Sequence, residues 1–220
     1  MHFYKNIIVL DIEFVCSKKW NQPFQISMIS FNLKKDTLTK ISDFDIYIDL
    51  MPGNHLNSFA RKVTGISEDF LNKEGLYYKD ASYQVLNYLL HFKLEDTLII
   101  GWSPQNDKRM LDILFNSDEP MIDMNALNFF DLNKSYNKFK GLPSSRGVRL
   151  EEACIDYGIV DEKLHNSYAD TIATAKLLEK MVSMYGAKEV IYDVMNKKVS
   201  YVKEREKSTE KTSRKSKKDE

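Results

Sequence analysis

Ile7, Ile8, Val9 and Leu10 form an unbroken apolar run, so Lys5 to Val15 reads as a buried β-strand. Two later segments, Phe24 to Leu33 and Ile41 to Leu50, alternate apolar and polar positions and predict two more strands, with Lys34, Lys35 and Asp36 as the turn between them. Met51-Pro52-Gly53-Asn54 breaks the pattern. Ser67-Glu68-Asp69 predicts the start of a short helix, and Asp80 to Phe92 a longer one that turns Ala81, Val85, Tyr88 and Leu89 inward. A strand over Thr97 to Trp102 and a helix over Ser103 to Phe115 follow, then a strand leading into a helix within Met121 to Leu132. Beyond the loop Gly141 to Gly147, helices are expected over Leu150 to Tyr157, Ser167 to Tyr185 and Ala187 to Asn196. Three strands followed by alternating strands and helices predict an α/β sheet rather than a sandwich or a bundle.

Composition narrows the class. Of 220 residues, 43% are hydrophobic and 12% aromatic, enough for one substantial core. No apolar stretch approaches bilayer length, and Asp11 and Glu13 follow the first apolar run directly, so neither a membrane span nor a signal peptide is expected. Cys16 and Cys154 are the only cysteines, which argues against a disulfide framework or a zinc knuckle and makes the cytoplasm the default location. Thirty-two basic residues balance thirty-two acidic ones. A zero net charge disfavours broad contact with duplex phosphates and fits a small nucleic-acid footprint, such as one strand end. Residues 1–202 are expected to form one domain. Lys203 to Glu220, with eight basic and five acidic residues and nothing to bury, reads as a disordered tail.

Four carboxylates stand where apolar residues are expected. Asp11 and Glu13 lie two apart at the end of the first strand, so both project from one face. A strand end emerging into water explains that pair equally well. Asp107 falls in the opening turn of a helix for which Ser103 suits the N-cap and Pro104 the first position. An acid there favours the positive helix end, yet Met110, Leu111 and Leu114 at three, four and seven residues on place Asp107 on the buried stripe. Asp170 shares its face with Ala173, Thr174 and Leu177 in the same way. A buried unpaired carboxylate costs several kcal/mol or gives up its charge. A salt bridge could answer that for any one of them; for all four, a shared cation is the simpler account. Oxygen-only ligands select a hard metal, magnesium or manganese.

His165 stands five residues before Asp170. On one helix that spacing turns them about 140° apart, so they converge only if His165 precedes the helix, with Asn166 or Ser167 as N-cap. Beside an activated water, a histidine titrating near neutrality suits a general base. His2, His55 and His91 read as ordinary residues.

The ordered set DIEF at Asp11, TGI at Thr64, NDKRML containing Asp107, and HNSYAD ending at Asp170 resembles the DEDDh 3′→5′ exonucleases. Gln25, Asp131, Tyr136 and the stretch Leu150 to Gly158 fit as well, and the likeness spans roughly residues 5 to 185. The resemblance implies a ribonuclease-H-like mixed sheet, three antiparallel strands followed by parallel ones. It implies that Asp11, Glu13 and Asp170 hold one metal ion, that Asp11 and Asp107 hold a second ~4 Å away, and that His165 deprotonates the attacking water. The implied substrate is a single-stranded RNA or DNA 3′ end, and the product a nucleoside 5′-monophosphate. Thr64 and Gly65 match the segment that touches the terminal nucleotide, and Phe14 could pack on its base or sugar or simply be a core aromatic. One departure concerns specificity: Gly101-Trp102-Ser103-Pro104-Gln105-Asn106 stands where many members carry an aromatic and a His-Asn pair. Trp102 reads as a strand-end core residue that could also border the strand channel.

Two other functions use the same residues. An inactive nucleic-acid-binding module of this fold would ordinarily lack one of the five chemical positions, and all five are filled here. A phosphodiesterase for small nucleotides needs the same site and a shorter substrate.

Overall fold

The computed structural model describes residues 4–16, 21–116, 119–159 and 166–192. Three long strands come first: β1 (Asn6–Cys16), β2 (Asn21–Lys34) and β3 (Thr37–Tyr47). Helices α1 (Ser58–Thr64), α2 (Glu68–Glu74) and α3 (Tyr78–Leu90) follow. Then come β4 (Thr97–Gly101), α4 (Gln105–Asn116), β5 (Asn128–Asp131), α5 (Leu132–Phe139), α6 (Leu150–Asp156) and α7 (Ser167–Tyr185). A π-helical turn at Lys188–Tyr192 packs against α7. The strands form one sheet in the order β3-β2-β1-β4-β5, antiparallel across β3, β2 and β1 and parallel across β1, β4 and β5. This is the mixed ribonuclease-H-like sheet the sequence led us to expect.

Alternation along β1 explains the layers. Ile7 and Val9 face one side, where they join Ala173, Leu177, Leu178 and Met181 of α7. Ile8, Leu10 and Ile12 face the other, against Ala81, Val85 and Leu89 of α3 and Met110, Leu111 and Leu114 of α4. Each such side chain contributes about 1.5–3 kcal/mol by leaving water. A smaller third core joins Val15 and Phe24 to Leu56, Ile66 and Leu71, tying α1 and α2 to the far end of β1. Among the described residues no helix is long and apolar enough to cross a membrane.

The differences from expectation are local and have physical causes. β2 begins at Asn21 and is buried along almost its whole length, Gln25, Ser27 and Ser30 included, because it is an inner strand covered on both faces. Helix α1 was not anticipated: it buries no residue and so carries no apolar stripe to read. Ser103 is not the cap of α4, which starts at Gln105. It instead adopts a left-handed conformation, φ 60°, with its N–H on the Asp131 carboxylate. The last expected helix is seen only as the turn to Tyr192, and residues 203–220 lie outside the described residues.

Candidate active site

β1 outruns its parallel neighbour. Pairing with β4 ends at Val9↔Ile100, whereas pairing with β2 continues to Cys16↔Asn21. Where β4 stops, the chain turns sharply at Gly101, where a Cβ would lie 2.8 Å from Pro104 Cβ and 3.2 Å from the Leu10 carbonyl. Only glycine fits that approach. The first turn of α4 therefore comes alongside the uncovered edge of β1, and the Ile12 N–H donates to Asp107 Oδ1 at 3.0 Å. Asp107 is 7% exposed and shares its buried face with Met110, Leu111 and Leu114, as its spacing predicted.

Asp11 and Glu13 project from the face of β1 that carries α7. That helix starts with Asn166 as N-cap, its Oδ1 accepting from the Ala169 N–H at 2.9 Å. In the first turn Ser167 donates to the Asp11 carbonyl at 2.6 Å, and this clamps the helix start to the strand end. Asp170, one turn on, is thereby held over the strand, and carboxylate oxygens of Asp11, Glu13 and Asp170 lie within 4.8 Å of one another. The sequence offered Ser167 only as an alternative cap to Asn166; its bond to β1 carried no signal beyond its place three residues before Asp170, on the same helix face.

The electrostatics follow from that crowding. At an effective dielectric near 20, two charges at such a separation repel by on the order of 3 kcal/mol. Burial first, then Asp107, Glu13 and Asp170, push the Asp11 carboxyl well above the usual carboxylate range, and the Ser167 hydroxyl partly offsets them. Glu13 is raised to about 7 by burial and by Asp170. Asp107 is raised to about 7 by burial, against the lowering effect of the Ile12 N–H and its own backbone N–H. Without a cation these acids cannot all ionise cheaply.

His165 lies outside the described residues, as does His2. His55 is paired with Glu68, and His91 with the Asn87 carbonyl, both at the surface. Thr64 and Gly65 close α1: Gly65 takes a left-handed φ of 72° and its N–H reaches the Arg61 carbonyl. The Thr64 hydroxyl donates to the Ala60 carbonyl and accepts from the Ile66 N–H. Ile66 packs with Val15, which brings the segment to the end of β1 just beyond the acids. Phe14 is half-buried and packs against the core on the α3–α4 side. Trp102 donates to the Val148 carbonyl at 2.8 Å and packs edge-on to Tyr136, so its core role is evident.

A model of the exonuclease family described as RNase T matches residues 8–178. No curated protein sequence matches the chain. Among solved structures, the nuclease domain of 3′hExo, a DEDDh family member bound to rAMP, superposes with a TM-score of 0.70 at 18% identity, covering 86% of this chain and 96% of that one. A 3′-exonuclease that recognises the histone mRNA stem-loop gives a TM-score of 0.69 at 16% identity, covering 86% and 67%. E. coli exonuclease I with a dA13 oligonucleotide gives 0.67 at 16% identity, covering 81% of this chain and 40% of that one. With the mixed sheet and the acids on its first strand beyond the pairing with β4, the chain belongs to the RNase T exonuclease family and has the fold of the DEDDh 3′-exonucleases.

Proposed function

We propose that this protein removes nucleotides from the 3′ end of single-stranded RNA or DNA by metal-dependent hydrolysis, releasing nucleoside 5′-monophosphates. The observation that carries the proposal is the trio Asp11, Glu13 and Asp170 within 4.8 Å, with Asp107 on the adjoining edge of β1. The donor set fits a hard divalent ion. Oxygens bound at ~2.1 Å around magnesium or manganese stand ~3–4 Å apart, within a small side-chain adjustment of this spacing. The buried Gln25, opposite Glu13 in the strand register, adds a carbonyl oxygen without a partner, suited to the hydration shell of such an ion.

Asp11, Glu13 and Asp170 would hold one ion, and Asp11 with Asp107 a second. When bound, such ions neutralise the crowded charge and stabilise the attacking and leaving oxygens of a phosphoryl displacement. The chain itself fixes the geometry. The Ile12 N–H orients Asp107, and the Ser167 clamp sets Asp170 over β1. His165, immediately before the N-cap of α7, would take the proton of the attacking water. Thr64 and Gly65, anchored through Ile66, would meet the terminal nucleotide, with Phe14 beside it. Bound partners of similar folds point the same way, an oligonucleotide in E. coli exonuclease I and rAMP in 3′hExo. A cytoplasmic location belongs to the same proposal and rests on Cys16 and Cys154 forming no disulfide.

The test is degradation of matched RNA and DNA strands labelled at the 5′ end, with manganese and with chelator. A ladder of labelled products shortening from the 3′ end, present only with metal, is expected. Intact strands under both conditions would overturn the proposal. Cleavage of a dinucleotide with longer strands left intact would favour a small-nucleotide phosphodiesterase instead.

A further inference from the structure

Asp131 ends β5 and is 5% exposed, yet it serves two neighbouring elements at once. Toward α5 it is the N-cap, Oδ1 accepting the Asn133 N–H at 3.1 Å. Toward the β4–α4 turn the same oxygen accepts the Ser103 N–H at 3.1 Å, and Oδ2 accepts from Gln105 Nε2 at 3.3 Å. Lys134 stands 3.8 Å from Oδ2. Ser103 is one of two non-glycine residues with positive φ among the described residues, and it sits between a glycine that tolerates no side chain and the proline that opens the helix. A serine does not hold φ 60° for its own sake. The bonds from Asp131 to Ser103 and Gln105 bracket Pro104, and they fix where α4 begins.

Asp107 is the third residue of that helix. Its 3.0 Å contact with the Ile12 N–H, and its approach to Asp11, depend on the start of α4 being held to within a fraction of an ångström. We infer that Asp131 is a positioning residue for Asp107, aiming that carboxylate at the metal site through the β4–α4 turn. The inference rests on the proposed role of Asp107 as one of the metal-holding acids. The competing explanation is that Asp131 only caps α5.

Substitution by serine separates the two. Asp131→Ser keeps a good helix cap, but a single short hydroxyl cannot also hold Ser103 and Gln105. Asp131→Asn keeps Oδ1 for both N–H groups, and the Gln105 amide can turn to suit. Ser103→Gly accepts the left-handed conformation without outside help. The readouts are kcat on a single-stranded oligonucleotide and the manganese concentration that half-maximally raises the melting temperature. Asp131→Ser should lose about 10–100-fold in both, the usual worth of a residue that orients a metal ligand. Asp131→Asn should stay within about threefold of the parent. Adding Ser103→Gly to Asp131→Ser should recover roughly tenfold or more in both, while Ser103→Gly alone stays near the parent. If Asp131→Ser lowers the melting temperature but leaves kcat and the manganese response intact, Asp131 is only a cap; if both readouts fall and Ser103→Gly restores nothing, Asp131 does not act on Asp107 through the β4–α4 turn and the inference falls. Asp107→Asn in the same assays separates the failures. If Asp107→Asn also behaves as the parent, the metal-site reading of Asp107 is at fault. If it loses both readouts while Asp131→Ser does not, the positioning role alone falls.

Discussion

Asp107 and Asp131 occupy similar ground: each is a buried aspartate at a strand–helix junction, on neighbouring segments of one sheet. Asp131 accepts from Ser103, Gln105 and Asn133 and lies near the Lys134 ammonium. Among the described residues, Asp107 accepts from the Ile12 N–H and its own backbone N–H, faces other acids, and is raised to about 7. Burial is common to both. What separates them is how much of each carboxylate the protein itself satisfies. Asp131 is an acid used to build the fold, and its charge is answered within the chain. On the function proposed above, Asp107 is an acid that a bound cation answers, held there at the expense of stability.

Exchanging each acid for its amide is the sharpest way to break that contrast. Asp107→Asn should cost about 10³–10⁵-fold in kcat, because a metal ligand contributes several kcal/mol to the transition state. Asp131→Asn should cost at most a few-fold. Equal losses from the two, measured by single-strand degradation, would erase the distinction. His165 offers the next largest effect. His165→Ala should lose about 10²–10⁴-fold in kcat, the usual worth of a positioned base, with manganese affinity little changed. Near-parent activity at neutral pH would remove it from the reaction.

A smaller effect lies in the pH dependence of stability without metal. Asp107 and Glu13 titrate near 7 in the folded chain, against roughly 4 in the unfolded one. Across that window the folded state binds more protons, so stability falls as pH rises from about 4 to 7 and levels off above. In chelator the parent's melting temperature should therefore decline from pH 5 to pH 8. The decline should be shallower in Asp107→Asn, by about 2–4 °C per kcal/mol of repulsion removed. Glu68, Glu95 and Asp156 are held below their usual range and act only at lower pH. Parallel curves for the two proteins would mean that Asp107 carries no such penalty.

The same contrast marks what the sequence could say. Asp107 and Asp170 were visible because each interrupts an apolar stripe whose period is local. The Asn166 cap of α7 and the Ser67 cap of α2 were visible for the same reason, as short-range patterns. Ser103 misled because its conformation is set by Asp131, twenty-eight residues away, and propensity favours a serine there as an ordinary cap. The double duty of Asp131 had no local signal at all. Helix α1 was invisible because it buries nothing. Gln25 looked like the polar half of an alternating strand, and only the covering of β2 on both faces shows it to be buried beside Glu13.

The most direct measurement is thermal unfolding of the parent and Asp107→Asn, each with chelator and with excess manganese. Asparagine preserves the shape and the Oδ1 acceptor for Ile12 while removing one charge. In chelator the variant should be as stable as the parent or more so. Manganese should raise the parent's melting temperature by binding only the folded state, and the variant's much less. A variant clearly destabilised in chelator, with an undiminished response to manganese, would mean that Asp107 is an acid of the same kind as Asp131 and no part of a metal site.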